Sequence, residues 1–450
     1  MNIIIMGAGK VGEVLCNDLS VEDHDITLIE TDEYKLTDMM NNNDINAILG
    51  NGASYEIQQE AGVSNCDVFI AATDNDELNM IACVLAKSQG AKKTLARVRR
   101  HEYSTLSGLM RDSLGITRLL NPELQAAEKI ARIISFPQAT SYETFITKKA
   151  PIVELKVNKD SKLIGKMLAE FRKIYKNLIV CAVTDNGKVF IPGGNFSIKP
   201  DTHLYLTGPE EEIRKIFIEN GQYNTKINSI LIIGAGLITR YVLSIMKYSK
   251  IKFKVIEINK AKAESLSEDF PEVEVINDDG ALLSTLREQR AENYDAIISL
   301  IGIDEENIII SMVAQNMGIK KTLTKINRTE LLDLGDTVGL QSVIVPKRIV
   351  ADSIIQRVRA MNNNTTSNLE ALYTIADEQV EALQFRVRED CKLTLKPLKD
   401  LNIKDGNLIA YIYRNGDVIF PTGDDRIKTN DRVILITTQH KITDLNEILS

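Results

Sequence analysis

The segment Gly7-Ala8-Gly9-Lys10-Val11-Gly12 returns 227 residues later as Gly234-Ala235-Gly236-Leu237-Ile238-Thr239, each time directly after a run of apolar, strand-type residues. Downstream features return at nearly the same offset. Glu30 is matched by Glu257, Asn79 by Asn307, and Asn186-Gly187 with Pro192 by Asn415-Gly416 with Pro421. A chain written as two copies of one long unit folds as two copies of one architecture, so each reading in the first half has a check in the second. The glycine loops are doubled, whereas no catalytic type of group is doubled with them.

Within the first copy, Ile3 to Met6 is an all-apolar strand, Val11 to Leu19 has helical apolar spacing, and Ile26 to Ile29 is a second apolar strand ending in Glu30. The alternation continues through Ala47 to Leu49, Val68 to Ala71, the helical stretch Glu77 to Lys87, Thr94 to Val98 and Gly115 to Leu120. Short apolar strands separated by helices predict a doubly wound parallel sheet covered on both faces. A helix from Pro122 to about Ile134 closes it, with Asn121 as N-cap and proline at the first helical position. From about Pro151 the pattern becomes alternating β segments, Ile152 to Val157, Leu178 to Val183, Val189 to Ile191 and His203 to Leu206, with Asp185-Asn186-Gly187 as a hairpin signal. The Rossmann-like pattern restarts at Ile230. The small α+β pattern restarts at about Leu383, with Arg414-Asn415-Gly416-Asp417 at the corresponding hairpin, after a polar linker from Met361 to Ser367. The expected fold class is α/β, two Rossmann-like domains each followed by a small α+β domain, divided as residues 1–135, 141–224, 227–360 and 368–450.

The net charge of −8 and pI near 5.4 argue against a nucleic-acid surface, which Arg97, Arg99 and Arg100 alone do not supply. Five widely spaced cysteines, Cys16, Cys66, Cys83, Cys181 and Cys391, form no CxxC pair and suggest neither a disulfide framework nor a zinc site, which fits a reducing cytosol. The sequence begins Met1-Asn2-Ile3-Ile4-Ile5, already in its expected first strand, so no signal peptide is expected. Its apolar runs are far shorter than the roughly 20 residues of a membrane helix. Any membrane role is therefore expected to act through a partner rather than by direct insertion.

In the first copy Gly7 permits the tight turn, Gly9 lets the backbone approach a pyrophosphate, Gly12 lets helix and strand pack closely, and the helix N-terminus faces the anion. Glu30, at the end of the second strand, is placed to accept from ribose hydroxyls, and its charge opposes a 2′-phosphate, favouring NAD or an adenine nucleotide over NADP. Thr73 and Asp74 follow the fourth strand at the topological switch point, where they line the pocket, cap the next helix, or both. Arg97 and its counterpart Lys325 are cations in otherwise apolar strands, read either as phosphate-neutralising groups or as surface salt bridges. Asn51-Gly52, answered by Asp279-Gly280, is a turn that reaches the adenosine side.

Catalytic constellations are weak. His24, His101, His203 and His440 have no histidine at their repeat positions, no GxxxxGK[ST] loop is present, and the Tyr248-x-x-x-Lys252 spacing falls where short-chain dehydrogenases keep no catalytic pair. Nucleotide binding without chemistry is the profile of a sensor or regulatory subunit.

The glycine loop, Ile29-Glu30-Thr31-Asp32, Asn51-Gly52, Thr73 to Glu77 with Asn79 and Met80, and Ala96-Arg97-Val98-Arg99 together resemble the TrkA family of potassium-uptake regulators, which carry two RCK (KTN) units. Nearly the whole chain is covered. The resemblance implies RCK N-terminal lobes at 1–135 and 227–360 and C-terminal lobes at 141–224 and 368–450. It also implies binding of NAD(H) or of ATP and ADP, self-association as a homotetramer or ring, and docking on the cytoplasmic face of an integral potassium-translocating subunit of the TrkH or TrkG kind. Carried over by residue, Gly7, Ala8, Gly9, Lys10 and Val11 hold the pyrophosphate, Glu30 the ribose, Thr73 and Asp74 the inner wall, and Arg97 a phosphate. The second set is Gly234, Ala235, Gly236, Leu237, Ile238, Glu257 and Lys325. Two departures set that copy apart: Thr239 stands where the third glycine is expected, and Ile301-Gly302-Ile303 replaces Thr73-Asp74-Asn75. A tandem NAD-dependent oxidoreductase and a regulator of another cation transporter remain the alternatives.

Overall fold

The structure, a computed structural model, describes the chain apart from residues 23, 101, 104–107, 109–112, 138, 140–141, 144–149, 222–226, 329–330, 332–339, 363–367, 377–378, 440–441 and 450. His101, His440 and most of the expected polar linker lie outside the described residues. The strands, in chain order, are β1 (Asn2–Met6), β2 (Asp25–Glu30), β3 (Asn46–Leu49), β4 (Val68–Ala71), β5 (Lys93–Arg97), β6 (Arg118–Leu120), β7 (Tyr142–Glu143), β8 (Ile152–Lys156), β9 (Ile179–Asp185), β10 (Lys188–Phe190) and β11 (His203–Thr207). The second copy supplies β12 (Ser229–Ile233), β13 (Lys252–Glu257), β14 (Glu274–Asn277), β15 (Ala296–Ser299), β16 (Lys321–Lys325), β17 (Val343–Ile344), β18 (Leu369–Ile375), β19 (Val380–Arg386), β20 (Asn407–Arg414), β21 (Asp417–Ile419) and β22 (Arg432–Thr437).

Two six-stranded parallel sheets have the orders β3-β2-β1-β4-β5-β6 and β14-β13-β12-β15-β16-β17. Their central strands are buried without interruption, as in Val68–Ala71 and Ala296–Ser299, because helices cover both faces and no position along the strand meets water. The order reverses between β1 and β4, and again between β12 and β15, which opens a crevice at the carboxyl ends of those strands.

Two compact units emerge, one from residues 1–135 with 227–355, the other from 136–226 with 356–450. In the first, the helix Pro122–Ser135 is capped by Asn121, whose Oδ1 accepts from the Leu124 amide at 2.9 Å. It carries Ala126, Ala127, Ile130 and Ile134 into one core with Ile238, Tyr241 and Val242 of the other sheet's helix Leu237–Ile245. Tyr241 Oη donates to the Arg99 carbonyl at 2.9 Å and accepts from Asn121 Nδ2 at 2.9 Å. Arg348 ties back to Asp18 at 2.7 Å. The Tyr241→Phe substitution removes one buried hydroxyl shared by both lobes, and unfolding measurements should register a loss of about 1 kcal/mol.

In the second unit the sheets run β10-β9-β11-β8-β7 and β18-β19-β22-β20-β21. Both predicted hairpins form: Asn186 and Gly187, and Asn415 and Gly416, all have positive φ, the requirement of a tight two-residue turn of matching twist. The second small sheet starts earlier than Leu383, because Leu369–Ile375 pairs with β19 as an additional strand. Arg172 joins the two modules, donating from its guanidinium to the Phe420 and Pro421 carbonyls at 3.0 and 3.1 Å.

Candidate functional site

The first glycine loop turns out of β1 with Gly7 at φ 102°, and Gly9 is the N-cap of the helix Lys10–Leu19 without any side-chain cap. The helix amides that such a cap would satisfy face the crevice, the arrangement that receives an anion. A Cβ on Gly9 would meet nothing within 4 Å, so the space over the loop is open, whereas a Cβ on Gly12 would stand 1.9 Å from the Gly7 carbonyl oxygen. Glu30 Oε2 accepts from the Ala8 amide at 2.6 Å, and Oε1 accepts from the Thr31 and Asp32 amides at 2.7 and 3.0 Å. Burial pushes this carboxyl upward, but the hydrogen bonds from Ala8, Asp32 and Thr31 outweigh it and hold the group below the ordinary glutamate value.

The opposite wall is fixed by Asn79, which is fully buried. Its Oδ1 accepts from the Thr73 amide and hydroxyl at 3.0 and 2.6 Å, and its Nδ2 donates to the Thr73 and Arg97 carbonyls at 3.0 and 2.9 Å. The helix cap is neither Thr73 nor Asp74 but Asn75, which accepts from the Leu78 amide. Thr73 is spoken for by Asn79, and Asp74 pairs with Arg97 at 2.9 Å. Arg97 nonetheless keeps a buried Nε with no partner among the described residues.

These residues enclose a cleft of about 370 Å³ to which Gly7, Gly9, Glu30, Asn51, Gly52, Thr73 and Asp74 all contribute. A second cleft of about 610 Å³ adjoins it at Gly9, Lys35 and Asp74, and is lined also by Ala8, Lys10, Arg97 and Asn327. Val11 is drawn into the core, so only its backbone faces the loop. Lys35 was missed in the sequence, although Lys262 repeats it at the loop's own offset. Asn327 left no local signal, because it reaches the first lobe from the second.

The second lobe reproduces the frame: Gly234 has φ 103°, Glu257 Oε2 accepts from the Ala235 amide at 2.7 Å, and Asn307 bonds the Ile301 amide and the Ile301 and Lys325 carbonyls, each at 3.0 Å. Thr239 neither fills the cleft nor breaks the loop. It is buried and donates its hydroxyl to the Gly234 carbonyl at 2.5 Å. Lys325 is half-buried with Nζ donating to the Leu300 carbonyl at 3.3 Å; desolvation lowers its pKa against the pull of Asp304 and Glu123.

No helix among the described residues is long and apolar enough to cross a membrane, and no cluster of three or more His, Cys, Asp or Glu is placed to hold a metal. Burial pushes the Cys16 and Cys66 thiols up to about 12, far from a reactive thiolate. Tyr248 is 95% exposed, which removes it from any catalytic pairing.

The TrkA-N domain family matches residues 3–122 and 230–346, and the TrkA-C domain family matches residues 152–217 and 382–450. The chain belongs to the TrkA family. Among its relatives, Trk system potassium uptake protein TrkA homolog 1 of Methanosarcina mazei is 30% identical, with 97% of each chain covered. Trk system potassium uptake protein TrkA of Halomonas elongata is 28% identical over 100% of this chain and 98% of its own length. Among solved structures, the GsuK channel bound to NAD superposes with a TM-score of 0.64 at 17% identity, covering 98% of this chain and 77% of that one, which establishes the common fold. TrkA-family relatives are named for potassium uptake rather than for a reaction, which sets the oxidoreductase alternative aside.

Proposed function

We propose that this TrkA-family chain is the nucleotide-sensing regulatory subunit of a Trk-type potassium uptake system. Residues 1–135 and 227–360 are its sensing lobes, and 141–224 and 368–450 its C-terminal lobes. In this reading NAD(H), or ATP and ADP, occupies the first cleft: Gly7 to Val11 hold the pyrophosphate, Glu30 and the Asn51-Gly52 turn the nucleoside, and Arg97 leaves Asp74 for a phosphate. The chain acts in the cytoplasm as a homotetramer docked on an integral subunit of the TrkH or TrkG kind.

The observation that carries this is the adjoining cleft, which runs from the first glycine loop to Asn327 of the second lobe. A ligand that extends into it touches both lobes and so binds one arrangement of them better than another. Only such differential binding moves a conformational equilibrium. A coupling of about 1 to 3 kcal/mol alters opening several-fold. Relatives named as potassium uptake proteins, and a similar fold solved with NAD in a channel, support the reading.

Calorimetric titration of the full chain with NADH, NAD, ATP and ADP, beside Arg97→Ala, tests it. Arg97→Ala should weaken binding about tenfold, the scale of one charged hydrogen bond, and make potassium uptake insensitive to nucleotide in cells. Unchanged affinity and unchanged nucleotide-responsive uptake would refute it. Co-purification with a different class of cation transporter would reassign the partner.

A further inference from the structure

The anion seat of the first lobe lies between two clefts. Gly9, the uncapped N-terminus of the helix Lys10–Leu19, lines both the cleft of about 370 Å³ and the one of about 610 Å³. On the smaller side stand Glu30 and the Asn51-Gly52 turn, the groups assigned above to a first nucleoside. A ligand that passes the seat enters the larger side, either with a third phosphate or with a second nucleoside.

Charge decides against the phosphate. Lys10, Lys35 and Arg97 line the larger cleft together with Glu13, Asp38 and Asp74, three cations beside three carboxylates. A diphosphate at the seat would draw on Lys10, Arg97 and the helix N-terminus. A third phosphate would then have only Lys35, which already faces Asp32 at 3.7 Å, and would share the cleft with the Glu13 and Asp38 carboxylates. Like charges in one cleft repel, and a single shared cation does not repay the lost hydration.

The residue supplied by the second lobe is neutral. Asn327 follows β16 as Arg99 follows β5, and their backbone amides donate to the equivalent carboxylates of Asp304 and Asp76, each at 2.9 Å. The repeated frame thus carries arginine in one copy and asparagine in the copy that lines the cleft. Asn327 Nδ2 also donates to Asp304 at 2.9 Å, which leaves the side-chain oxygen and one amide hydrogen to offer. That pair matches a carboxamide or a sugar hydroxyl and brings no charge for a phosphate. Across the cleft, Tyr34 and Asp38 stand one turn apart on the helix Glu33–Asn42. Tyr34 is 83% exposed, an aromatic face on which a planar ring can stack, and the Asp38 carboxylate suits ribose hydroxyls.

We propose that the first lobe takes a dinucleotide whose second nucleoside fills the larger cleft between Tyr34 and Asn327, and that ATP and ADP enter the smaller cleft without joining the lobes. The proposal rests on the nucleotide-sensing reading and narrows it. Only the dinucleotide reaches the second lobe, so only it favours one arrangement of the lobes over another. The mononucleotides compete for the seat and undo that preference.

Calorimetry of the full-length chain with NADH, ATP and ADP tests this in the parent and in four variants. The parent should bind NADH about tenfold or more tighter than ATP or ADP. Tyr34→Ala and Asn327→Ala should each weaken NADH binding about five- to tenfold, the scale of one stacked ring or one hydrogen bond, and leave ATP and ADP within about twofold. Asn327→Arg, which installs the residue of the other copy, should raise ATP affinity and lower that of NADH, narrowing the preference about tenfold. Arg97→Ala should weaken all three ligands alike, because each brings phosphates to the seat. Tyr34 is exposed, so its variant keeps the fold and decides the matter even if an Asn327 variant melts early. A parent that prefers ATP to NADH, or alanine variants that weaken ATP as much as NADH, would overturn the proposal and leave the nucleotide-sensing reading in place. Parental NADH affinity in both Tyr34→Ala and Asn327→Ala would overturn it too. A parent that binds none of the three would sink both.

Discussion

Asn79→Leu is expected to be the most damaging single substitution in the first lobe. The asparagine is fully buried and serves three backbone groups, the Thr73 amide, the Thr73 carbonyl and the Arg97 carbonyl, besides the Thr73 hydroxyl. A leucine of similar size fills the volume and strands those groups in a dry interior. Each orphaned polar group costs roughly 1–3 kcal/mol, so three of them sum to roughly 3–9 kcal/mol, a large part of a typical domain's stability. The damage should also be directional. Asn79 is the strap between the ends of β4 and β5, so its loss releases Thr73 and Arg97 together and dismantles the inner wall of the cleft. Calorimetric unfolding should show the first-lobe transition lowered, with NADH affinity falling in parallel. Asn307→Leu performs the same experiment in the second lobe, where the bonds to Ile301 and Lys325 are equivalent, and it should leave first-cleft binding nearly intact. A thermal midpoint for Asn79→Leu within a degree or so of the parent would show that the strap carries no such load.

The parts of this architecture that were legible from sequence are those whose physical cause is local. Continuous apolar strands, glycine at the loop turn, the acidic strand end and the Asn-Gly hairpins each require a residue type within a few positions of the structure they specify. Asn79 was visible as a repeat match and a mark of the family but not in its role, because its bonds to Arg97 join elements whose pairing in space is set by the sheet. The capping was misread for a related reason. Thr73, Asp74 and Asn75 are all good cap residues, and the choice fell to Asn75 only because Asn79 and Arg97 occupy the other two side chains. Least legible was the joining of the two Rossmann lobes. Tyr241 meets the Arg99 carbonyl across 142 residues, and nothing in the local pattern of either helix names its partner. The effect of Thr239 was also hidden: the hydroxyl that stands in place of the third glycine bonds the Gly234 carbonyl of the loop.

Glu30→Gln should abolish most of the first site's affinity although it changes a single heavy atom. Both carboxylate oxygens of Glu30 accept: Oε2 from the Ala8 amide, Oε1 from the Thr31 and Asp32 amides. A glutamine has one acceptor end and one donor end. Whichever way its amide is turned, an NH₂ group faces a backbone N–H, and either the glycine loop or the turn after β2 must move. The same change removes the negative charge proposed to accept from a ribose. Losing a charge-assisted hydrogen bond of about 1.5–3 kcal/mol predicts roughly 10- to 100-fold weaker NADH binding. The pH dependence follows in sign. Because the folded Glu30 carboxyl lies below its ordinary value, its contribution is present throughout neutral pH and persists as pH falls through the usual glutamate range near about 4.3, disappearing only beneath it. Binding by the parent should therefore be flat from neutral pH to about 5, and binding by Glu30→Gln weak and equally flat. A parent whose affinity titrates with a midpoint near neutrality would mean that a different group holds the ribose, while a Glu30→Gln variant that binds NADH as tightly as the parent would remove the carboxylate from the site altogether. Glu257→Gln, which makes the corresponding change at Ala235 and Asn259, should leave NADH binding unaltered. That contrast assigns the effect to the first cleft rather than to a general weakening of the chain.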